Sequence, residues 1–247
     1  MTGKSVMKFI FAAMCVLTVA VTATTCGKMN DSISIDLDSI ELVQFEDIAD
    51  DAQVAVIETT LGDMKAVLYP EYAPNTVQNF INLAESGYYD GTYIFRTQDE
   101  AYFAGGSPNS DGSLNEDYDK DIEKTENEFN QNLWPFKGAI CSLSGYKNCS
   151  GSRFVVVDSI EFTDEIKEEM LSASENTILS EAFIEHGGVP NYSQQMTVFA
   201  QIYDGLDVVD LISQQESDPD NEYQPYEDII IKSVRISTYK AEEDTNA

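Results

Sequence analysis

Val54, Val56 and Ile57, then Met64, Ala66 and Leu68, form alternating apolar runs on either side of Leu61-Gly62-Asp63, which predicts two strands joined by a tight hairpin. The period then changes. Val77, Phe80, Ile81 and Ala84 recur at helical spacing behind Pro74, which suits a first turn, and Gly87 supplies a stop. Tyr88-Tyr89-Asp90-Gly91 reads as a turn into the aromatic strand Tyr93-Ile94-Phe95-Arg96. After Gly106 a polar loop containing Asp111-Gly112 runs to about Asn132, and strand patterns resume at 138–144 and 152–157. The stretch 163–185 is helical, with Ile166, Met170, Leu171, Ile178, Leu179 and Phe183 as its apolar stripe. A strand at 197–202, a short helix at 206–212 and a closing strand at 228–239 complete the pattern. No repeat is visible. Many short strands with a few helices predict a closed β-barrel capped by helices, with an open α+β sheet as the alternative.

Composition adds location. A chain of 247 residues fits one domain with appendages, and 43% hydrophobic residues suffice for a core. The formal charge of −30 repels nucleic acid and anionic lipid headgroups, which excludes nucleic-acid binding from the expected functions. Lys4 and Lys8 precede an apolar run over 9–21 and then Thr22-Ala23-Thr24-Thr25-Cys26, the layout of an export signal. The run is short for a membrane span, which needs about 20 apolar residues. The cysteine after small residues resembles a bacterial lipoprotein cleavage site, so Cys26 is expected to carry the lipid, and plain cleavage with Cys26 incidental is the alternative. The expected layout is a signal peptide over 1–25, an anchored tether and extension over 26–52, a folded domain over 53–239 and a disordered tail over 240–247. Within the extension, 40–48 is expected to pack only loosely on the domain. Cys15 falls in the signal, which leaves Cys141 and Cys149, either paired or, for Cys141, a buried free thiol. Metal-ligand spacing is absent, and the acidic runs 117–121 and 218–221 lack the glycine and final glutamate of a calcium loop. No cofactor is expected. The lone His186, before Gly187-Gly188, has no nucleophile partner in the pattern and reads as a helix cap.

The chemistry concentrates at Arg96 and the glycine pair Gly105-Gly106. A strand interior seldom buries a lone guanidinium, and paired glycines mark close backbone approach. Five segments in order carry a resemblance: 58–63; Ala73-Pro74-Asn75-Thr76-Val77-Gln78-Asn79-Phe80; 87–91; Gly151-Ser152-Arg153-Phe154; and His186-Gly187-Gly188-Val189-Pro190 leading to Thr197-Val198-Phe199. Over about 53–238 the chain resembles the cyclophilin-type peptidyl-prolyl isomerases. The resemblance implies a mainly β fold, a closed antiparallel eight-stranded barrel capped by helices, here with one extra helical insertion at 163–185.

It also implies rotation about X–Pro bonds, with Arg96 as the catalytic residue, donating a hydrogen bond that draws the prolyl nitrogen out of resonance. The substrate-binding positions are Ala101, Tyr102, Ala104, Gly145, Arg153, Val155, Asn191, Tyr192 and Met196. Several depart from the family pattern. Ala101 and Val155 stand where the family has pocket phenylalanines, Ala104 where a glutamine orients the arginine, and Arg153 where another glutamine is usual. An asparagine is replaced near Gly145. Asn191, Tyr192 and Met196 replace rim tryptophan, leucine and histidine, and Phe95 replaces a histidine. Tyr102, Val155, Tyr192 and Met196 still offer an apolar concavity, while Phe154 is expected to face the core.

The expected activity is a prolyl isomerase assisting folding of exported chains, as a monomer anchored outside the bacterial cytoplasmic membrane. The alternative is a peptide-holding module with little turnover. Its structural reading of Arg96 is an ion pair with a nearby acid, one of 44. An enzyme needs Arg96 within reach of a bound proline, whereas a holding module needs only the concavity.

Overall fold

The computed structural model describes residues 33–114, 124–144 and 149–241. The export signal, Cys15, Cys26, the acidic run 117–121, Gly145 and the tail beyond 241 lie outside the described residues.

The predicted hairpin is β1 (Gln53–Thr59) and β2 (Asp63–Leu68), paired Ile57 to Met64 and Glu58 to Asp63. Thr59 holds its turn: the Thr59 hydroxyl accepts from the Leu61 and Gly62 amides, each at 3.1 Å, and donates to the Gly62 carbonyl at 2.7 Å. Helix α1 (Pro74–Glu85) buries Val77, Phe80, Ile81 and Ala84, as its periodicity requires. Ala73 gives it no side-chain cap, and Glu128 supplies one from a distant loop. The Asn75 and Thr76 amides donate to its carboxylate at 3.1 and 2.8 Å, a negative charge placed on the positive end of the helix.

Then follow β3 (Thr92–Gln98), β4 (Tyr102–Ser107), β5 (Thr125–Glu126), β6 (Ala139–Ser144) and β7 (Cys149–Val157). The segment predicted as one helical stretch is two helices, α2 (Asp164–Ser172) and α3 (Ile178–His186). After a short turn at Pro190–Tyr192 come β8 (Val198–Asp204), α4 (Leu206–Ser213), the small strands β9 (Ser217–Asp218) and β10 (Gln224–Pro225), and β11 (Ile229–Thr238).

Eight strands close into a ring in the order β4-β3-β11-β1-β2-β8-β6-β7, and β7 pairs back onto β4. Every pair in the ring is antiparallel. The glycine pair makes the closure possible. Gly105 faces Phe154 across the β4–β7 seam. Gly106 holds φ +85°, and a β-carbon there would lie 2.8 Å from the Ser152 carbonyl oxygen. Only glycine lets the two strands approach so closely. The interior is filled by Ile57, Met64, Ile94, Phe103, Phe154, Ile202 and Ile231, and α1 and α4 join this core through Phe80, Ile81, Val209 and Ile212.

The N-terminal extension packs more firmly than its sequence suggests. Ile40 is buried with Trp134, Phe136, Met170 and Phe183, so it joins α2 and α3 to the barrel wall. Gln44 is buried too: its side-chain amide donates to the Trp134 carbonyl at 2.9 Å and to Gln201 at 2.8 Å, and accepts from the Trp134 amide at 2.6 Å. Phe45 stacks on His186 with ring centroids 3.6 Å apart, so this histidine lies in an aromatic contact at the end of α3.

Candidate active site

Register decides which side chains share a face, because cross-strand partners point the same way. Arg96 pairs with Ala104, Ala104 with Val155, Val155 with Cys141, and Cys141 with Val198. These five residues therefore form one row across β3, β4, β7, β6 and β8 on the outer face of the barrel. Ala104, Val155, Cys141 and Val198 belong to a second apolar cluster, separate from the interior, with Tyr102, Tyr192 and Met196 packed against it. Ile94 belongs to the interior core and Phe95 to the outer cluster, as alternation dictates. Alternation alone would then send Arg96 inward. A bulge between Ile94 and Arg96 shifts the register and puts Phe95 and Arg96 on the same outer face.

The result is a shallow apolar floor of Ala104, Val155 and Cys141 with Arg96 at one end. Tyr102 and Tyr192 meet edge to face across it, ring centroids 5.9 Å apart, and Met196 packs beside them. Burial, then the neighbouring Tyr102, push the Tyr192 phenol well above its ordinary pKa, and burial pushes the Cys141 thiol up to about 12. Cys141 in the floor and Tyr192 in the wall are thus uncharged around neutral pH. Cys141 is a free, buried thiol.

The charged end holds two arginines. Arg96 and Arg153 lie against the same Phe95 ring, their guanidinium carbons 5.9 and 6.0 Å from its centroid. Arg153 donates to the Gly112 carbonyl at 2.8 Å. Arg96 does pair with an acid: its Nη2 donates to Glu222, a residue of the β9–β10 hairpin whose side chain is 79% exposed. Its Nε, by contrast, is buried with no acceptor.

Among the expected binding positions, Tyr102, Ala104, Val155, Tyr192 and Met196 converge on the floor, and Arg153 stands at its charged end. Ala101 lies buried in the turn before β4, its carbonyl accepting from the Asp158 amide at 2.9 Å. Asn191 sits on the Pro190–Tyr192 turn with its carbonyl bonded to the Gln195 side chain. Phe154 faces the interior core. Sequence reasoning did not single out Glu222 or the floor role of Cys141. An acid in an acidic loop carries no distinguishing signal, whereas Cys141 was detectable as the alternate of Ile140 in strand 138–144, on the face opposite the interior core.

The family model described as cyclophilin type peptidyl-prolyl cis-trans isomerase/CLD matches residues 54–236. A protein of Staphylococcus aureus strain USA300, provisionally named a peptidyl-prolyl cis-trans isomerase, is 31% identical over 73% of this chain and 90% of its own length. One of Streptococcus pyogenes serotype M6, provisionally named a bifunctional phosphatase/peptidyl-prolyl cis-trans isomerase, is 34% identical over 73% of this chain. The match spans only 38% of that longer protein. Among solved structures, a cyclophilin type peptidyl-prolyl cis-trans isomerase of Cryptosporidium parvum superposes with a TM-score of 0.58 at 22% identity, over 76% of this chain and 99% of that one. The same protein in the presence of the dipeptide Ala-Pro gives 0.57 at 21% identity, over 75% of this chain and 99% of that one.

Proposed function

The chain belongs to the cyclophilin-type peptidyl-prolyl cis-trans isomerases, and from that premise we propose that it isomerises X–Pro bonds in exported polypeptides, outside the cytoplasmic membrane to which a lipid on Cys26 would hold it. The observation that carries the catalytic part is the row of cross-strand partners that runs from an apolar floor to the Arg96 guanidinium.

The reaction breaks no bond. Amide resonance sets a barrier of about 18–20 kcal/mol, and any group that weakens resonance at the prolyl nitrogen lowers it. The pyrrolidine ring would rest on Ala104, Val155 and Cys141 between Tyr102, Tyr192 and Met196. Arg96, with donors in a fixed plane, would donate to the nitrogen as its lone pair leaves conjugation in the twisted state. That hydrogen bond is stronger in the twisted than in the planar amide, which is the condition for catalysis. Arg153 adds positive potential at the same end. Anchoring is supported by the signal-like N-terminus, and a single folded domain of 53–239 by the family match over 54–236.

A second reading, peptide holding without turnover, is favoured by two contacts: the Arg96–Glu222 pair and the meeting of Tyr102 with Tyr192 across the floor. The test is the cis-to-trans rate of short X–Pro peptides with the full chain in detergent. Wild type is expected to accelerate isomerisation, and Arg96→Ala to lower kcat/KM by about 100-fold or more with an unchanged circular dichroism spectrum. A folded wild type that binds Ala-Pro peptides and does not accelerate them would establish the holding reading instead.

A further inference from the structure

The hairpin of β9 and β10 is fastened to β3 at the residue next to Arg96. The Thr97 amide donates to the Tyr223 carbonyl at 2.9 Å, and the Ser217 hydroxyl donates to the Thr97 carbonyl at 2.9 Å. At its tip, Glu222 and Tyr223 are both left-handed, with φ of 53° and 62°. Two consecutive side-chain-bearing residues in that region are unfavourable, and such strain persists only where the surroundings enforce it. Here the enforcement comes from Thr97 and from the Tyr223 amide, which donates to the Asp218 carbonyl at 2.8 Å. The outcome is a carboxylate presented to Arg96 Nη2.

Among the described residues, nothing on the opposite side does this work. The cross-strand partner of Arg96 is Ala104, whose methyl group has no hydrogen-bonding atom. Arg96 Nε is buried without an acceptor. Among the described residues, the guanidinium is therefore oriented by Glu222 from the solvent side and by the Phe95 ring beneath it.

We propose that Glu222 is the positioning residue of Arg96, holding one end of the guanidinium so that the group keeps a single orientation toward the substrate. This inference rests on the isomerase reading. Loss of the carboxylate lets the side chain swing, which lowers the fraction of bound complexes in reacting geometry and leaves the floor for the proline ring intact. The prediction is a fall in kcat with little change in KM.

The experiment uses the full chain with Glu222→Ala and Glu222→Gln, measuring kcat and KM on an Ala-Pro peptide, thermal midpoint, and the nitrogen-15 resonance of Arg96 Nε–H. Glu222→Ala is expected to lower kcat about tenfold, change KM less than about twofold, and broaden the Arg96 resonance. Glu222→Gln, which keeps an acceptor oxygen, is expected to recover most of the rate. An active wild type whose Glu222→Ala variant has unchanged or higher kcat overturns the proposal, a rise identifying Glu222 as a latch. A Glu222→Ala variant that fails to fold leaves the decision to Glu222→Gln: a tenfold loss there, with a sharp Arg96 resonance, overturns it. A wild type without activity overturns the isomerase reading and this inference together, an outcome distinct from the others.

Discussion

Asp158 is 5% exposed, the only carboxylate among the described residues so far removed from water. It accepts from the Ser213 hydroxyl and faces Lys137 Nζ at 3.5 Å, and Lys137 also pairs with Asp210. Burial raises its pKa above the ordinary carboxylate value, and the Ser213 hydrogen bond and Lys137 charge only partly offset this. The folded state consequently holds the Asp158 proton more tightly than the unfolded chain does. Between the ordinary value and the raised one, folding takes up protons, so stability falls as pH rises through that window and levels off above it. Asp158→Asn is expected to remove this slope, seen as a flatter urea midpoint as pH rises above the ordinary carboxylate value. The same residue scale shows where the sequence was silent about the site. Arg96 stood out as a lone guanidinium on an aromatic strand, but its direction depends on the Ile94–Arg96 bulge, and a bulge has no residue signature here. Alternation would have pointed it inward.

Elements with a long period were legible and those without were not. The β1–β2 hairpin and α1 follow directly from apolar spacing, and β11 from Ile229, Ile231 and Val234. The pieces Leu37–Ser39 and Val43–Phe45 are three residues each, too short for any period, so the extension read as a loose tether. Strands β5, β9 and β10 have two residues each and were missed for the same reason. The extension depends on Gln44, a polar side chain that looks like loop until its three hydrogen bonds are seen. Gln44→Ala leaves buried groups of Trp134 and Gln201 short of a partner, and is expected to destabilise by about 1–3 kcal/mol. Trp134, 6% exposed and the single tryptophan, reports on this directly. Its emission should shift to the red in the variant at urea concentrations where wild type is unchanged.

At the scale of the molecule, 14 basic residues face 44 acidic ones. A formal charge of −30 on one small domain with appendages repels itself in the compact state. Salt screens this within a Debye length of about 10 Å at 0.1 M. Raising sodium chloride from low to physiological concentration is therefore expected to raise the thermal midpoint by about a few degrees. No change would mean the acids are already balanced locally.

The ring order carries one more consequence, about time. β11 sits between β1 and β3, so the last strand made is a neighbour of the first. Until residues 229–238 are available, β1 and β3 face an unfilled gap, and the floor under Arg96 hangs from an incomplete ring. A chain synthesised from its N-terminus cannot finish folding early. The ring stays open until β11 has been made, and a product truncated before β11 is expected to yield no partial enzyme.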